Sequence, residues 1–314
     1  MLVHAGHPGG DHGVPRGPAR GLRSVVTHRV YVSADLEGVA GVSHLRQTMR
    51  GTDDYPDARA LMAAEVNAAV EGALDGGAQS VLVNDAHGDM TNLRAADLHP
   101  AAVLLSGWPK VPWAMMQGIE PADLVVCFIG YHSPAGTGGS VLEHTFSSRL
   151  FMDLRVNGDV WGEAEFNAAL AAELGVPVGL ATGDGVFCAA VAERIPGIET
   201  VAVKQGFGYN VSSSMHPSLV RERIRVAARR AVERAIAGDL PLLALPERYV
   251  VEATLPNGGA ADLCTLLPDT ERLGGRLVRR VTETADGALR TVLGWLHLAG
   301  AQAPGHPTIP GGRA

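Results

Sequence analysis

Five residues at three separated points of the chain have the chemistry of a metal site. Asp35 and Glu37 close the stretch Tyr31-Val-Ser-Ala-Asp-Leu-Glu-Gly38, Asp85 and His87 follow Ser80-Val-Leu-Val83, and His132 follows Leu124-Val-Val-Cys-Phe-Ile129. In an extended backbone side chains alternate sides, so Asp35 and Glu37 would face the same way. Adjacent carboxylates repel, and burying them uncompensated is costly. A cation between them removes both penalties; a merely solvated acidic strand end is the bland alternative. Each histidine taken singly also has an ordinary structural explanation. The argument for a site is their common position just past apolar strands, because open α/β sheets bind ligands outside the carboxyl ends of parallel strands. Mixed imidazole and carboxylate donors suit Zn2+, with Mn2+ or Co2+ as substitutes. No P-loop, GxSxG or HExxH pattern offers a competing chemistry.

The elements that must position these residues read as alternating strands and helices. Strands are expected over 28–34, 80–83, 103–105, 124–129, 176–181 and 200–203. Helices are expected over 56–74, where Leu61, Met62, Val66, Ala69, Val70 and Ala73 form one apolar face, and over 162–174, 186–194 and 218–237. Asn157-Gly158 between apolar runs marks a β-hairpin. Alternation of this kind predicts an α/β protein with a mostly parallel or mixed sheet flanked by helices, and a second, smaller α/β domain. The expected divisions are a metal-binding α/β domain at 28–175 and a C-terminal α/β domain at 176–300. Residues 1–27 and 301–314 are expected to be disordered. His4, His7 and His12 could form a metal tract, but their Gly- and Pro-rich setting favours an extension without structure.

Composition removes other classes of function. The chain of 314 residues carries a formal charge of −7, which argues against nucleic acid or an anionic membrane as partner. No apolar run approaches the roughly 18 residues needed to span a bilayer. The N-terminal segment has no apolar core of a secretory signal. Cys127, Cys188 and Cys264 lack CxxC spacing and read as core residues of a reducing, cytoplasmic compartment. Arginines at 221, 223, 225, 229, 230 and 234 stand opposite an apolar stripe with Glu222 and Glu233 among them, the pattern of a solvated helix face.

Ser33-Ala-Asp35-Leu-Glu37-Gly38, Asn84-Asp-Ala-His87, Gly130-Tyr-His132, His144 and Gly162-Glu163 together resemble, in order, the motifs of the zinc-dependent D-aminopeptidase family of the DppA type. The resemblance runs from about residue 29 to 240 and more weakly to about 300. It implies a cytoplasmic dinuclear zinc aminopeptidase acting on short peptides or amides with an N-terminal D-residue such as D-Ala. Asp35 would bridge two Zn2+ per chain, with Glu37, His87, His132 and Glu163 as the other ligands. His144 would be the catalytic acid/base or nucleophile. The resemblance also implies a large ring-like homo-oligomer, such as a decamer. Two departures stand out: the loop from His132 to His144 is one residue longer than the family form, and Glu143 replaces a small polar residue. For the substrate ammonium, Asp85 and Asp184 are the candidate carboxylates, Asp85 being equally suited to orienting a ligand histidine. Without the resemblance, Glu163 is a first-turn helix residue favoured by the dipole. Two other readings are a metal-dependent amidohydrolase acting on L-peptides or a biosynthetic amide, and a non-catalytic small-molecule-binding α/β module.

Overall fold

Alternation along the first strand separates two cores. Val30, Val32 and Ala34 enter one buried cluster and Tyr31 the other. The computed structural model describes residues 28–301. The expectations about 1–27 and 302–314 lie outside the described residues.

The chain runs through β1 (Arg29–Ala34), α1 (Leu45–Thr48), α2 (Tyr55–Asp75), β2 (Ser80–Asp85), β3 (Ala102–Leu105) and β4 (Asp123–Ile129). There follow β5 (Asp153–Val156), β6 (Asp159–Val160), α3 (Glu163–Glu173), β7 (Val178–Asp184), α4 (Gly185–Arg194), β8 (Glu199–Gly208) and β9 (Val211–Ser214). The last part is α5 (Pro217–Ala237), β10 (Tyr249–Thr254), α6 (Gly258–Cys264), β11 (Glu271–Arg272), β12 (Leu277–Thr282) and α7 (Ala285–Gly300).

Seven strands form one sheet in the order β3-β2-β1-β4-β7-β8-β9, parallel throughout except for the β8–β9 pair. The expected α/β class with a mostly parallel sheet flanked by helices is the fold observed. On one face Val66 and Val70 of α2 and Val220, Ile224 and Val232 of α5 share a buried cluster with the even-numbered residues of β1, α2 lying over β1, β2 and β4 and α5 over β4, β7 and β8. The arginine face of α5 is largely exposed and ion-paired, for example Arg225 with Asp75 and Arg230 with Glu199. Beyond the opposite face lies a five-stranded antiparallel sheet, β11-β12-β10-β5-β6. Its core is continuous with Tyr31, Phe128 and helices α3 and α7. The hairpin read at Asn157-Gly158 is β5–β6, with both turn residues at positive φ. The larger sheet takes strands from both sides of residue 175, and so does the smaller one. The sheets therefore divide the chain differently from the expected 28–175 and 176–300. The reason is long-range pairing: β5 bonds to β10, about a hundred residues on, which no local pattern reveals.

Strand order reverses between β1 and β4, where β2 and β3 lie to one side of β1 and β7 and β8 lie beyond β4. That reversal opens a crevice at the carboxyl ends of the strands, the usual position of ligands in open sheets.

Candidate metal centre

The strand ends at the crevice are tied to one another by main chain. The Asp35 amide donates to Ile129 O (2.8 Å), the Ala86 amide to Ala34 O (2.7 Å) and the Gly38 amide to Gly130 O (2.8 Å). Glycine is required where the first and third loops touch. A Cβ on Gly38 would lie 1.9 Å from Tyr131 O, and one on Gly130 (φ 72°) 2.3 Å from Asp35 O. The loops bearing Asp35, Glu37, His87 and His132 thus converge on one point.

Asp35 and Glu37 do meet, but not through strand alternation. β1 ends at Ala34 and residues 36–38 form a turn, with the Leu36 amide donating to Asp35 Oδ1 (2.8 Å). Asp35 then faces two ways. Its Oδ1 lies 3.2 Å from His87 Nδ1, which is also 2.9 Å from Glu37 Oε2. Its Oδ2 lies 3.4 Å from His132 Nε2, which is 3.3 Å from Glu163 Oε2. Glu163 opens α3, and its other oxygen accepts the Phe146 amide (2.6 Å), so the side chain points into the cluster. Asp35, Glu37, His132 and Glu163 are all at most 4% exposed.

Backbone carbonyls set the state of each imidazole. His87 Nε2 is 2.9 Å from Thr48 O, His132 Nδ1 3.0 Å from Ser133 O, and His144 Nδ1 2.9 Å from Leu142 O. A carbonyl only accepts, so these nitrogens carry the hydrogen, and in the neutral ring the other nitrogen is bare. The bare nitrogens of His87 and His132 are the ones that confront carboxylates. Glu37 Oε2 and His132 Nε2 are buried with no hydrogen-bond partner. Lone pairs facing lone pairs need positive charge between them, from protons or from cations. In the absence of a cation the burden falls on protons. Burial and the neighbouring Glu37 push Asp35 up to about 7. Burial opposes charge on His132, yet Glu163 and Asp35 outweigh it and raise the ring to about 10. Burial likewise opposes charge on His87, which Glu37 and Asp35 raise well above its ordinary value. The donor set of imidazole nitrogens and carboxylate oxygens fits divalent zinc. Ligand atoms of Asp35, Glu37 and His132 lie within 4.8 Å of one another, as do those of His132, His144 and Glu163.

His144 completes the cluster. Its ring stacks on His132 with centroids 4.1 Å apart and an 11° interplanar angle. Burial and the adjacent His132 lower its pKa, favouring the neutral form. Leu142 (φ 53°) and Phe146 (φ 55°) flank it in the left-handed region, a strained backbone that fixes the loop carrying the ring. Glu143, one residue before, points elsewhere and accepts the Gly136 amide (3.0 Å).

The two carboxylates considered for a substrate ammonium have other partners. Asp85 accepts from Asn92 Nδ2 (2.9 Å) and the Leu93 amide (2.7 Å), and Asn92 also donates to His87 O (2.7 Å). Asp85 therefore shapes the loop that bears His87. Asp184 caps α4 through the Phe187 amide (2.9 Å) and accepts from Ser140 Oγ (2.5 Å) and the Val141 amide (2.8 Å). Neither lines the cavity at the cluster.

Lys204 was invisible to sequence reasoning. Only 4% exposed, its ammonium donates to three carbonyls of the loop after β1, those of Glu37, Val39 (3.1 Å) and Val42 (2.5 Å). Burial brings it down to about 8. The buried carboxylate of Glu65 braces the same loop by accepting the Ala40 amide (2.8 Å). Alternation from Val201 and Val203 would turn Lys204 outward, but a register shift at Asp184 turns it in. A lone lysine in an apolar strand was the sole sequence signal.

Fold and site define a class: an α/β protein with a histidine–carboxylate cluster suited to divalent cations at the switch point of its sheet. Residues 28–293 match the model of the peptidase M55 family, described as D-aminopeptidase. The chain belongs to the D-aminopeptidase family and is a peptidase, a hydrolase acting on peptide bonds. It is 32% identical over 245 residues to D-aminopeptidase of Bacillus subtilis (strain 168), covering 77% of this chain and 87% of that one. The solved structure of the Zn-dependent D-aminopeptidase DppA from Bacillus subtilis, a self-compartmentalizing protease, superposes with a TM-score of 0.80. That match has 29% identity and covers 88% of this chain and 99% of that one.

Proposed function

We propose that this chain is a dinuclear zinc aminopeptidase that removes an N-terminal D-residue, such as D-Ala, from short peptides or amides. The observation that carries the reading is the division of Asp35, with one oxygen toward His87 and Glu37 and the other toward His132 and Glu163. On this reading Asp35 would be shared by two Zn2+, and Glu37, His87, His132 and Glu163 would be the other residues holding them. Mn2+ and Co2+ are acceptable substitutes for such donors. Bound there, zinc would lower the pKa of a water toward neutrality and polarise the scissile carbonyl.

The chain's own groups handle the protons. His144 holds its hydrogen on Nδ1 against Leu142 O, which leaves Nε2 to accept a proton from the attacking water. The same nitrogen returns that proton to the departing amine. Glu163, fixed by the Phe146 amide, holds its place beside His132. The relative's zinc dependence and D-aminopeptidase name support the metal and the stereochemistry, and its self-compartmentalizing character supports a large ring-like homo-oligomer here, such as a decamer. Three buried free cysteines support a reducing, cytoplasmic location.

The test is metal content and turnover on one preparation. Protein purified without added metal or a histidine tag should carry about two zinc per chain and cleave D-aminoacyl amides over their L-enantiomers. One zinc per chain would remove the bridging role of Asp35. A preference for L-amides would transfer the site to the L-peptide amidohydrolase reading.

A further inference from the structure

Helix α3 brings Glu163 to the cluster without a strand of its own. The loops after β1, β2 and β4 share main-chain hydrogen bonds, but among the described residues none joins α3 to those strands. A helix commits its backbone to its own turns, so side chains must set its distance from the sheet. Asn167 stands four residues after Glu163, on the same face of the helix. It is fully buried, and its Nδ2 donates to Oη of Tyr131 (2.9 Å), the residue before His132. Tyr131 Oη lies 2.6 Å from Oγ of Ser33, two residues before Asp35. Ser33 Oγ in turn donates to Met115 O (2.7 Å).

Which group donates at each step follows from what each can offer. Met115 O only accepts, so it takes the one hydroxyl hydrogen of Ser33. Ser33 therefore accepts from Tyr131, and Tyr131 accepts from Asn167. The Asn167 amide must present its nitrogen to the tyrosine, which leaves Oδ1 buried with no hydrogen-bond partner. A leucine at 167 would fill similar space without that orphaned oxygen, whose burial is costly. Asparagine is thus a poor way to fill the core and a direct way to tie α3 to β1 and β4.

A second relay lies beside this one. Lys110 donates to Asn84 Oδ1, Asn84 Nδ2 to Tyr31 Oη (2.9 Å), and Tyr31 Oη to Gln117 O (2.8 Å). It joins β1 to β2, which already pair as parallel strands from Arg29 and Ser80 to Ala34 and Asp85. There the side chains repeat a connection made by main chain. At α3 no such ladder stands behind them.

We infer that Ser33, Tyr131 and Asn167 are positioning residues: their relay sets the distance of Glu163 from Asp35 and His132, and with it the affinity for the cation those three residues hold. The inference rests on the dinuclear zinc reading. Glu163 Oε2 and Asp35 Oδ2 stand 3.3 and 3.4 Å from His132 Nε2. Metal ligation tolerates only about 0.2 Å of departure in donor distance, so a small drift of α3 is felt at the ion.

Zinc-loaded full-length protein is titrated with a chelator well below its unfolding temperature, and urea midpoints are measured beside it. While the protein stays folded, affinity reads the geometry of the site and the midpoint reads stability. Asn167→Leu should weaken one of two zinc by about 10-fold, the scale for losing an outer partner of a ligand, and leave the other unchanged. Tyr131→Phe removes the same link and strands the Asn167 donor, so it should weaken the same zinc and lower the urea midpoint. Combining Tyr131→Phe with Asn167→Leu makes both partners apolar, so the midpoint should recover while the zinc stays weakened. Any one of the three that folds carries the comparison. Tyr31→Phe is the control: it breaks the second relay and should lower the midpoint with both zinc held as in wild type. Zinc affinity that follows the urea midpoint across these variants, that falls equally for both ions, or that none of them alters overturns the positioning role and leaves the dinuclear reading intact. Fewer than two zinc on the wild type overturns that reading and this inference with it.

Discussion

The two sides of the cavity are built in opposite ways. The charged side comes from loops immediately after β1, β2 and β4, tied by main-chain hydrogen bonds at the reversal of strand order, and from the first residue of α3, whose carboxylate accepts the Phe146 amide. The apolar side is gathered from residues 90, 114, 115, 146, 293 and 296, on loops and a C-terminal helix that share no strand. Chemistry at one side depends on distances of about 3 Å between charged atoms, which only rigid backbone holds. The other side offers only volume and apolarity, which loops and helices supply without such precision. Substitutions on the first side should therefore stop the reaction, and those on the second should leave metal binding intact.

The largest effect is expected at Asp35. On the proposed reading Asp35→Ala removes a ligand from both halves of the cluster, so zinc content should fall sharply. Activity should drop beyond the roughly 10⁴-fold that a general acid–base contributes. Two zinc retained per chain in this variant, measured by elemental analysis, would show that the halves do not depend on Asp35. His144→Gln comes next. If the ring transfers protons as proposed, kcat should fall by about 10²- to 10⁴-fold while zinc content stays at the wild-type level. A parallel loss of metal would recast His144 as a ligand, which its closeness to His132 and Glu163 makes geometrically available.

Lys204→Met tests whether support beneath the charged side matters. Three carbonyls of the loop bearing Glu37 lose their donor, so zinc affinity should weaken by about 10- to 100-fold, the usual cost of losing an outer partner. Competition with a chelator measures this directly, and an unchanged affinity would make Lys204 a stability residue only. The smallest effect is expected at Asp184. Asp184→Ala removes a helix cap and the acceptor of Ser140 Oγ and the Val141 amide, which should cost about 2–4 kcal/mol in urea unfolding with KM unchanged. A tenfold rise in KM would return Asp184 to candidacy as a partner of the substrate ammonium.

How much of this was legible in the sequence differs along the same divide. The apolar strands ending in Asp35, His87 and His132 are local signals, and the rule that ligands gather at carboxyl ends of strands brings those residues together without a structure. Alternation put Asp35 beside Glu37 for the wrong reason, since a turn rather than a strand joins them. Glu163 and His144 carry no local signal of their own and were reached through the resemblance alone. Asp85 and Asp184 stood as candidates for the substrate ammonium, Asp85 equally for orienting a histidine, because a sequence does not show which amides a side chain will accept.

By itself, then, the amino-acid sequence determined the alternating elements, the parallel character of the larger sheet and the metal-suited ends of three strands, because periodicity and residue type are local properties. Tertiary structure alone decided the direction each Asp35 oxygen faces, the tautomer each imidazole adopts, the inward turn of Lys204 and the wall supplied by α7. His132 and His144 take their tautomers from carbonyls one and two residues away, but the rest depends on contacts between residues from 39 to 167 positions apart, where the chain closes on itself and local pattern carries no information.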